Sequence, residues 1–201
     1  MDFFEKVKGF LLEPSKTFDA TKGESLDEAI KYYAVIAAIY SALFAVLLAF
    51  VGTLFGSMMG WRNLGMLMGA GAGAGGAIIF FVLFMIFSII GAFVGGATLH
   101  IFVYIVGGRK GIAQTIKAVM YGSTPGLLLG WIPIIGFIAA IWSLVVEIVG
   151  IRQLHELTTG KAVLAVVLLI IVIAIITVVL AAVIAAFIFG MGTPTPYGRG
   201  Y

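Results

Sequence analysis

Apolar residues dominate this chain in long blocks interrupted by short polar punctuation, and the block lengths predict helices that cross a bilayer. A spanning helix needs roughly 20 mostly apolar residues for a hydrocarbon layer about 30 Å thick. The first block runs over 32–55, uncharged between Lys31 and Arg62. The next uncharged window, 63–108, is too long for one helix, and its glycine-dense start (65–76, GMLMGAGAGAGG) reads as a connection, leaving the second span at 77–106. A third span is expected at 112–130, tolerating Lys117 and Pro125. The turn Gly130-Trp-Ile-Pro133 leads into a fourth at 134–154, and a fifth covers 162–189, the longest purely aliphatic run. The tail 191–201, rich in Gly, Pro and Tyr, is expected to be irregular and external.

Ahead of the spans, residues 1–31 form the one sizeable water-facing segment. Phe3, Val7 and Leu11 recur at helical spacing, which predicts a short amphipathic helix in the headgroup layer. Pro14 interrupts it, and Ser25-Leu-Asp-Glu28 matches a capping box at the start of a longer helix. No basic start with a short apolar segment and cleavage site precedes the first block, so it reads as a retained span.

Composition agrees. Of 201 residues, 62% are hydrophobic and 10% charged, far from the 45–50% and about 25% of soluble domains. Twelve of the 21 formal charges fall in residues 1–31. The absence of cysteine removes disulfides, thiolate metal sites and cysteine nucleophiles. A net charge of +3, spread out, does not suggest nucleic acid as a partner. The fold class expected is all-α, a polytopic membrane protein. Five spans place ten basic residues on the amino-terminal side (the five lysines of 1–31, Arg109, Lys110, Lys117, Arg152 and Lys161) and only Arg62 and Arg199 opposite. The positive-inside rule then sets the amino terminus in the cytoplasm and the carboxyl terminus outside. A sixth crossing at 65–76 would scatter the same residues over both faces.

Ionisable residues inside spans are site candidates by default, because a charge in hydrocarbon costs several kcal/mol unless paired or wetted. His100, Lys117 and Glu147 are the three. At 1.5 Å per residue they lie about 8–10 Å from the cytoplasmic ends of spans two, three and four, one polar layer on three helices. The bland expectation is a Lys117–Glu147 ion pair joining spans three and four with His100 hydrogen-bonded nearby. Lysine snorkelling and a transport or proton-relay role are the alternatives. Three small-residue pairs, Gly52/Gly56, Gly91/Gly95 and Gly126/Gly130, are expected to bring helix backbones close, within the monomer or in a homo-oligomer. No hydrolase elbow, zinc-protease or phosphate-loop motif is present, and the glycine run 71–76 matches a dinucleotide fingerprint through composition alone. No catalysis, metal or cofactor is expected.

The segment 107–165 is the most distinctive. It carries Gly107-Gly-Arg109-Lys-Gly111, Gln114-x-x-Lys117, Tyr121-Gly122-Ser-Thr-Pro125, Trp131-Ile-Pro133, Trp142, Gly150-Ile-x-x-Leu-His155 and Gly160-Lys161-Ala162. With Phe18 and the pattern of 26–32, this resembles the Yip family (Ypt-interacting proteins) in its compact prokaryotic form, over roughly residues 3–190. The resemblance implies a five-span membrane domain with a cytoplasmic amino terminus, and a non-catalytic scaffold that organises membrane or binds a membrane-protein partner. Eukaryotic relatives bind prenylated Rab-type GTPases in vesicle traffic. This chain lacks their long soluble amino-terminal region with its Asp-Leu-Tyr-Gly-Pro element, which counts against GTPase binding, and Met120 stands where a glycine precedes the tyrosine. A rival from another class is a small-solute or ion permease using His100, Lys117 and Glu147. The expected location is the cell membrane.

Overall fold

A computed structural model describes residues 1–59 and 73–190. The described residues form eight helices and no strand: α1 (Phe3–Leu12), α2 (Pro14–Thr21), α3 (Leu26–Met59), α4 (Gly73–Ile105), α5 (Ile112–Gly122), α6 (Thr124–Leu129), α7 (Ile135–His155) and α8 (Thr159–Gly190). Arg62, residues 65–72 of the connection expected at 65–76, Arg199 and the tail 191–201 lie outside the described residues; residues 73–76, expected in that connection, are instead the first turn of α4.

Local chemistry sets the boundaries. Asp2 caps α1 reciprocally with Glu5, the Glu5 amide donating to Asp2 Oδ1 at 2.7 Å and the Asp2 amide to Glu5 at 3.0 Å. Pro14 opens α2, where its missing N–H costs nothing. Ser25 and Glu28 make the second box at the head of α3, at 2.7 and 3.2 Å. Glu156 closes α7 in the left-handed region (φ 56°). Ile134, an exposed β-branched residue at φ 70°, makes the tight bend before α7, a conformation that β-branched side chains rarely adopt.

Four helices are long and apolar enough to cross a membrane: Leu26–Leu48, Gly76–Ile105, Ile135–His155 and Thr159–Ile188. They coincide with expected spans one, two, four and five. The segment expected as the third span differs: α5 and α6 are two short helices meeting at Ser123, and α5 is enclosed by α3, α4 and α7. Thr115, Ile116, Lys117, Ala118, Met120, Tyr121, Thr124 and Pro125 are all buried. Enclosure explains why this segment is the most polar of the five, since its side chains are solvated by protein rather than by lipid. At the other extreme, α8 has Ala162, Ala165 and Val166 buried near its start, while its side chains from Ile170 to Ile188 stay largely exposed.

The amino-terminal helices are part of the same core. Phe3 and Val7 pack against it and Phe10 is fully buried in it, while Phe4 and Leu12 point outward. Phe18 of α2 meets Gly150 so closely that a Cβ there would lie 2.5 Å from the ring.

The small-residue pairs divide. Gly126 fits against Ser143, 2.9 Å from an added Cβ, and Gly130 packs its turn against Tyr40. Gly91 and Gly95 face away from the bundle, where a Cβ would meet nothing within 4 Å, so the expectation of packing within the monomer does not describe them. The neighbouring Gly96 instead rides on the Ile116 backbone at 3.1 Å. Gly52 and Gly56 sit on α3 where side-chain surroundings are outside the described residues. Gly91→Leu and Gly95→Leu are therefore expected to leave the detergent unfolding midpoint of the monomer within about 0.5 kcal/mol of wild type. Gly96→Leu should lower stability by about 1–3 kcal/mol, because overpacking forces α4 off α5.

Candidate functional site

The polar residues of the core gather toward the end of the bundle that carries Arg109, Lys110 and Lys161, in three separate groups. The first is built around Lys117, a residue about 1% exposed. It donates to the backbone carbonyls of Lys22 and Glu24 at 3.1 and 2.6 Å. The α2–α3 turn thus folds over one lysine of α5 through two of its carbonyls. The Glu24 side chain does the reciprocal work: its carboxylate accepts from the buried Tyr121 hydroxyl and pairs with Lys6 of α1 at 2.6 Å. A charge taken out of water is tolerable here because two carbonyls accept from it at hydrogen-bond distance.

Tyr121 also organises the aromatic centre. Its ring stacks on Phe10 (4.8 Å, 17°), lies edge-on to Phe18 (6.2 Å) and tilts against Tyr32 (5.3 Å). The Tyr121 carbonyl, left without an amide by Pro125 one turn on, accepts from the Thr124 hydroxyl at 2.6 Å. Since that hydroxyl spends its proton there, the Tyr32 phenol is the donor to Thr124 at 3.1 Å. The Tyr121…Pro125 element is thus a helix break whose loose backbone groups are taken up by side chains, and it aims one tyrosine at the amino-terminal arm. Its Gly122 is required by contact: a Cβ there would sit 2.9 Å from Glu147 Cα.

The second group joins α4, α5 and α7. Thr115 Oγ1 lies 2.8 Å from His100 Nδ1 and 2.9 Å from His155 Nε2, with the two imidazole centroids 5.8 Å apart. A hydroxyl has one proton, so Thr115 donates to one ring and accepts from the other. His155 Nδ1 is buried with no partner. The third group is Glu147, in a groove of about 270 Å³ between α6 and α7 lined by Ser123, Gly126, Leu127, Ala140, Ser143 and Leu144. The Ser143 hydroxyl accepts from the Gly126 amide at 2.7 Å.

His100, Lys117 and Glu147 therefore do not form one cluster, and the expected Lys117–Glu147 ion pair is replaced by other partners. The reason is one of face and of level: Lys117 faces the arm and His100 the end of α7, while Glu147 faces the α6 break about 12 Å above His155, which Thr115 holds level with His100. Sequence reasoning missed Glu24, Lys6, Thr115 and the role of His155. Glu24 carried a readable signal, being an acid in a short turn of a chain with few acids.

Outside the apolar helices, Glu156 ties three segments together. Its carboxylate accepts from Lys22 at 2.5 Å and Lys110 at 2.6 Å, and these two ammonium groups hold its pKa down from the ordinary 4.5 to about 2. A carboxylate whose folded pKa is depressed contributes above its unfolded value and loses that contribution as pH falls through the folded one. Arm docking should therefore be constant above about pH 4.5 and weaken between 4.5 and about 2. Glu156→Gln should show the loosened arm already at neutral pH, read as protease cleavage within residues 1–25. The ties are exposed, so rising salt should mimic the acid effect.

Among the described residues no group of three histidine, cysteine or acidic side chains is placed to hold a metal ion. Neither curated proteins nor solved structures return a match to the chain. A family model described as the Yip1 domain matches residues 8–182, which takes in the arm's buried Phe10 and Phe18, the Lys117–Tyr121 segment and all but the far end of α8. On that match the chain belongs to the Yip1 domain family.

Proposed function

We propose that this multi-pass membrane protein is a non-catalytic scaffold that presents its amino-terminal arm to a membrane-protein partner from the cytoplasmic face of the cell membrane. In this reading the α5–α6 pair counts as a crossing, giving five spans, a cytoplasmic amino terminus and an external carboxyl terminus; the basic end of the bundle is the inner one. The observation that supports it best is the use made of the buried Lys117. Its ammonium is consumed by two carbonyls of the α2–α3 turn, so the most costly charge in the core fixes the shape of the arm and is not held ready for cargo.

The test pairs two measurements on one set of proteins. Photo-crosslinkers on Phe4 and Leu12, the exposed apolar residues of α1, are expected to capture a discrete membrane partner in intact cells. Capture should disappear in Glu24→Lys, which releases the arm from Tyr121 and Lys6. Liposomes holding the purified protein are expected to show no solute or proton flux above empty vesicles. Flux abolished by Glu147→Gln or His100→Ala would overturn the scaffold in favour of a permease.

A further inference from the structure

The long helices of this bundle are not level at the end that carries Arg109 and Lys110. The apolar stretches of α4 and α8, 30 residues each and about 45 Å, carry one charge between them, Lys161, whereas α3 carries Asp27, Glu28 and Lys31 in its first two turns and α7 carries Glu147 and Arg152. Two contacts fix how these helices are staggered. The Tyr33 phenol of α3 donates to the Ser88 carbonyl of α4 at 3.1 Å. Ser88 lies seventeen residues, about 25 Å, before the end of α4 at Ile105, whereas Lys31 lies about 3 Å before Tyr33. Lys161 of α8 reaches Gly107, its ammonium 3.6 Å from where a Cβ would stand, so α8 begins level with the end of α4.

The charged start of α3, where Lys31 pairs with Asp27 in the open, therefore stands roughly 20 Å higher along the bundle than the apolar ends of α4 and α8. In that lower stretch the exposed side chains include the apolar Ile101, Ile105, Val163 and Leu164. Each side also has its own interfacial markers. On the low side, Arg109 stacks on Tyr104 at 3.7 Å beside Lys110. On the high side, Trp142 of α7 donates its indole N–H to the Leu11 carbonyl of the arm at 3.0 Å, with Lys8, Glu13 and Lys16 exposed on the same hairpin. Trp142 is thirteen residues, about 20 Å, above His155, which the Thr115 bridge holds level with His100. Aromatic and basic residues mark the headgroup level, and here they mark two levels.

No flat bilayer perpendicular to the helices satisfies both. Set at the low markers, it buries Asp27, Glu28, Lys31 and the α1 end of the arm in hydrocarbon; set at the high ones, it leaves about 20 Å of apolar α4 and α8 in water. We infer that the domain sits obliquely: the inner boundary of the bilayer meets the bundle low on the α4–α8 side and high on the α3–arm side. The surface concerned is the lipid-facing skin of α4 and α8, and its partner is the bilayer itself. An apolar helix of about 45 Å in a core of about 30 Å must tilt well beyond the usual 20°, thin the leaflet beside the arm, or both. The oblique seat brings α1 and α2 into the headgroup layer without any further motion.

This inference rests on the membrane-spanning reading and not on the partner-binding one. The chain has no cysteine, so single labels are unambiguous. Ile101→Cys and Val35→Cys, both at exposed sites, are labelled with bimane in phosphatidylcholine vesicles and their depths read by lipids quenching at known heights. Upright insertion puts Val35 about 22 Å deeper than Ile101; oblique insertion brings the two within about 12 Å, with Ile101 shielded from iodide. A separation above about 12 Å, or iodide quenching at Ile101, overturns the oblique seat and leaves the scaffold reading standing. Iodide quenching of both labels would overturn the spanning reading as well. Leu164→Cys on α8 repeats the comparison if the α4 variant does not fold, judged by tryptophan emission.

Discussion

Tyr121→Ala should cost about 3–5 kcal/mol of stability, the range for truncating a fully buried aromatic side chain. The site has little freedom to collapse, because Phe10, Phe18 and Tyr32 reach it from two arm helices and α3 and each is itself held in place. Tyr121→Phe keeps the stack and loses only the hydroxyl that Glu24 receives, so about 1–3 kcal/mol is expected from the charge-assisted bond. Unfolding by SDS titration, followed through tryptophan emission, separates the two. The arm should report first, because the Trp142 indole is bonded to Leu11 at the end of α1. Equal losses in both variants would mean that the hydroxyl, and not the ring, carries the junction.

Lys117→Glu is the second large effect. The new carboxylate would face the carbonyls of Lys22 and Glu24, both left without the donor that the ammonium supplied, in the neighbourhood of the Glu24 carboxylate. Breaking a buried charge arrangement costs about 3–5 kcal/mol, a large share of the 5–15 kcal/mol that holds a typical domain together. The folded yield in mild detergent should fall steeply. Lys117→Met is the informative companion: it removes two hydrogen bonds but also the desolvated ammonium, so its loss should be much smaller. A Lys117→Glu protein that folds with the wild-type midpoint would place the ammonium outside the core.

Much of the architecture was legible because a bilayer imposes a one-dimensional rule. Uncharged runs between Lys31 and Arg62, or from Lys161 to the tail, have one economical reading, and α3, α4, α7 and α8 follow it. The Pro125 break was legible too, since proline and its hydroxylated neighbours act over a single turn. What was not legible was azimuth and the stagger of one helix against another. Hydropathy tells how deep a residue sits and says little about which neighbour it faces, so His100, Lys117 and Glu147 read as one cluster and are three. The face of each glycine suffered likewise: Gly95 and Gly96 are adjacent, yet one looks at open space and the other at Ile116. The arm was hidden for a different reason. Phe3, Val7 and Phe10 make an apolar stripe that serves equally against lipid or against protein, and only the tertiary partners Tyr32 and Tyr121 decide which.

The contacts that seat the arm join residues far apart in the chain: Lys22 and Glu24 to Lys117, Phe18 to Gly150, Leu11 to Trp142. During synthesis at about 5–20 residues per second, the α2–α3 turn leaves the ribosome roughly 5–20 s before the lysine it must cover. Insertion of α3 and α4 therefore proceeds with the arm unattached and its phenylalanines bare, and α5 enters the bundle with its ammonium still uncapped. The nascent chain is thus most exposed to chaperones and proteases in that interval, and closure of the arm over α5 is the step that ends it.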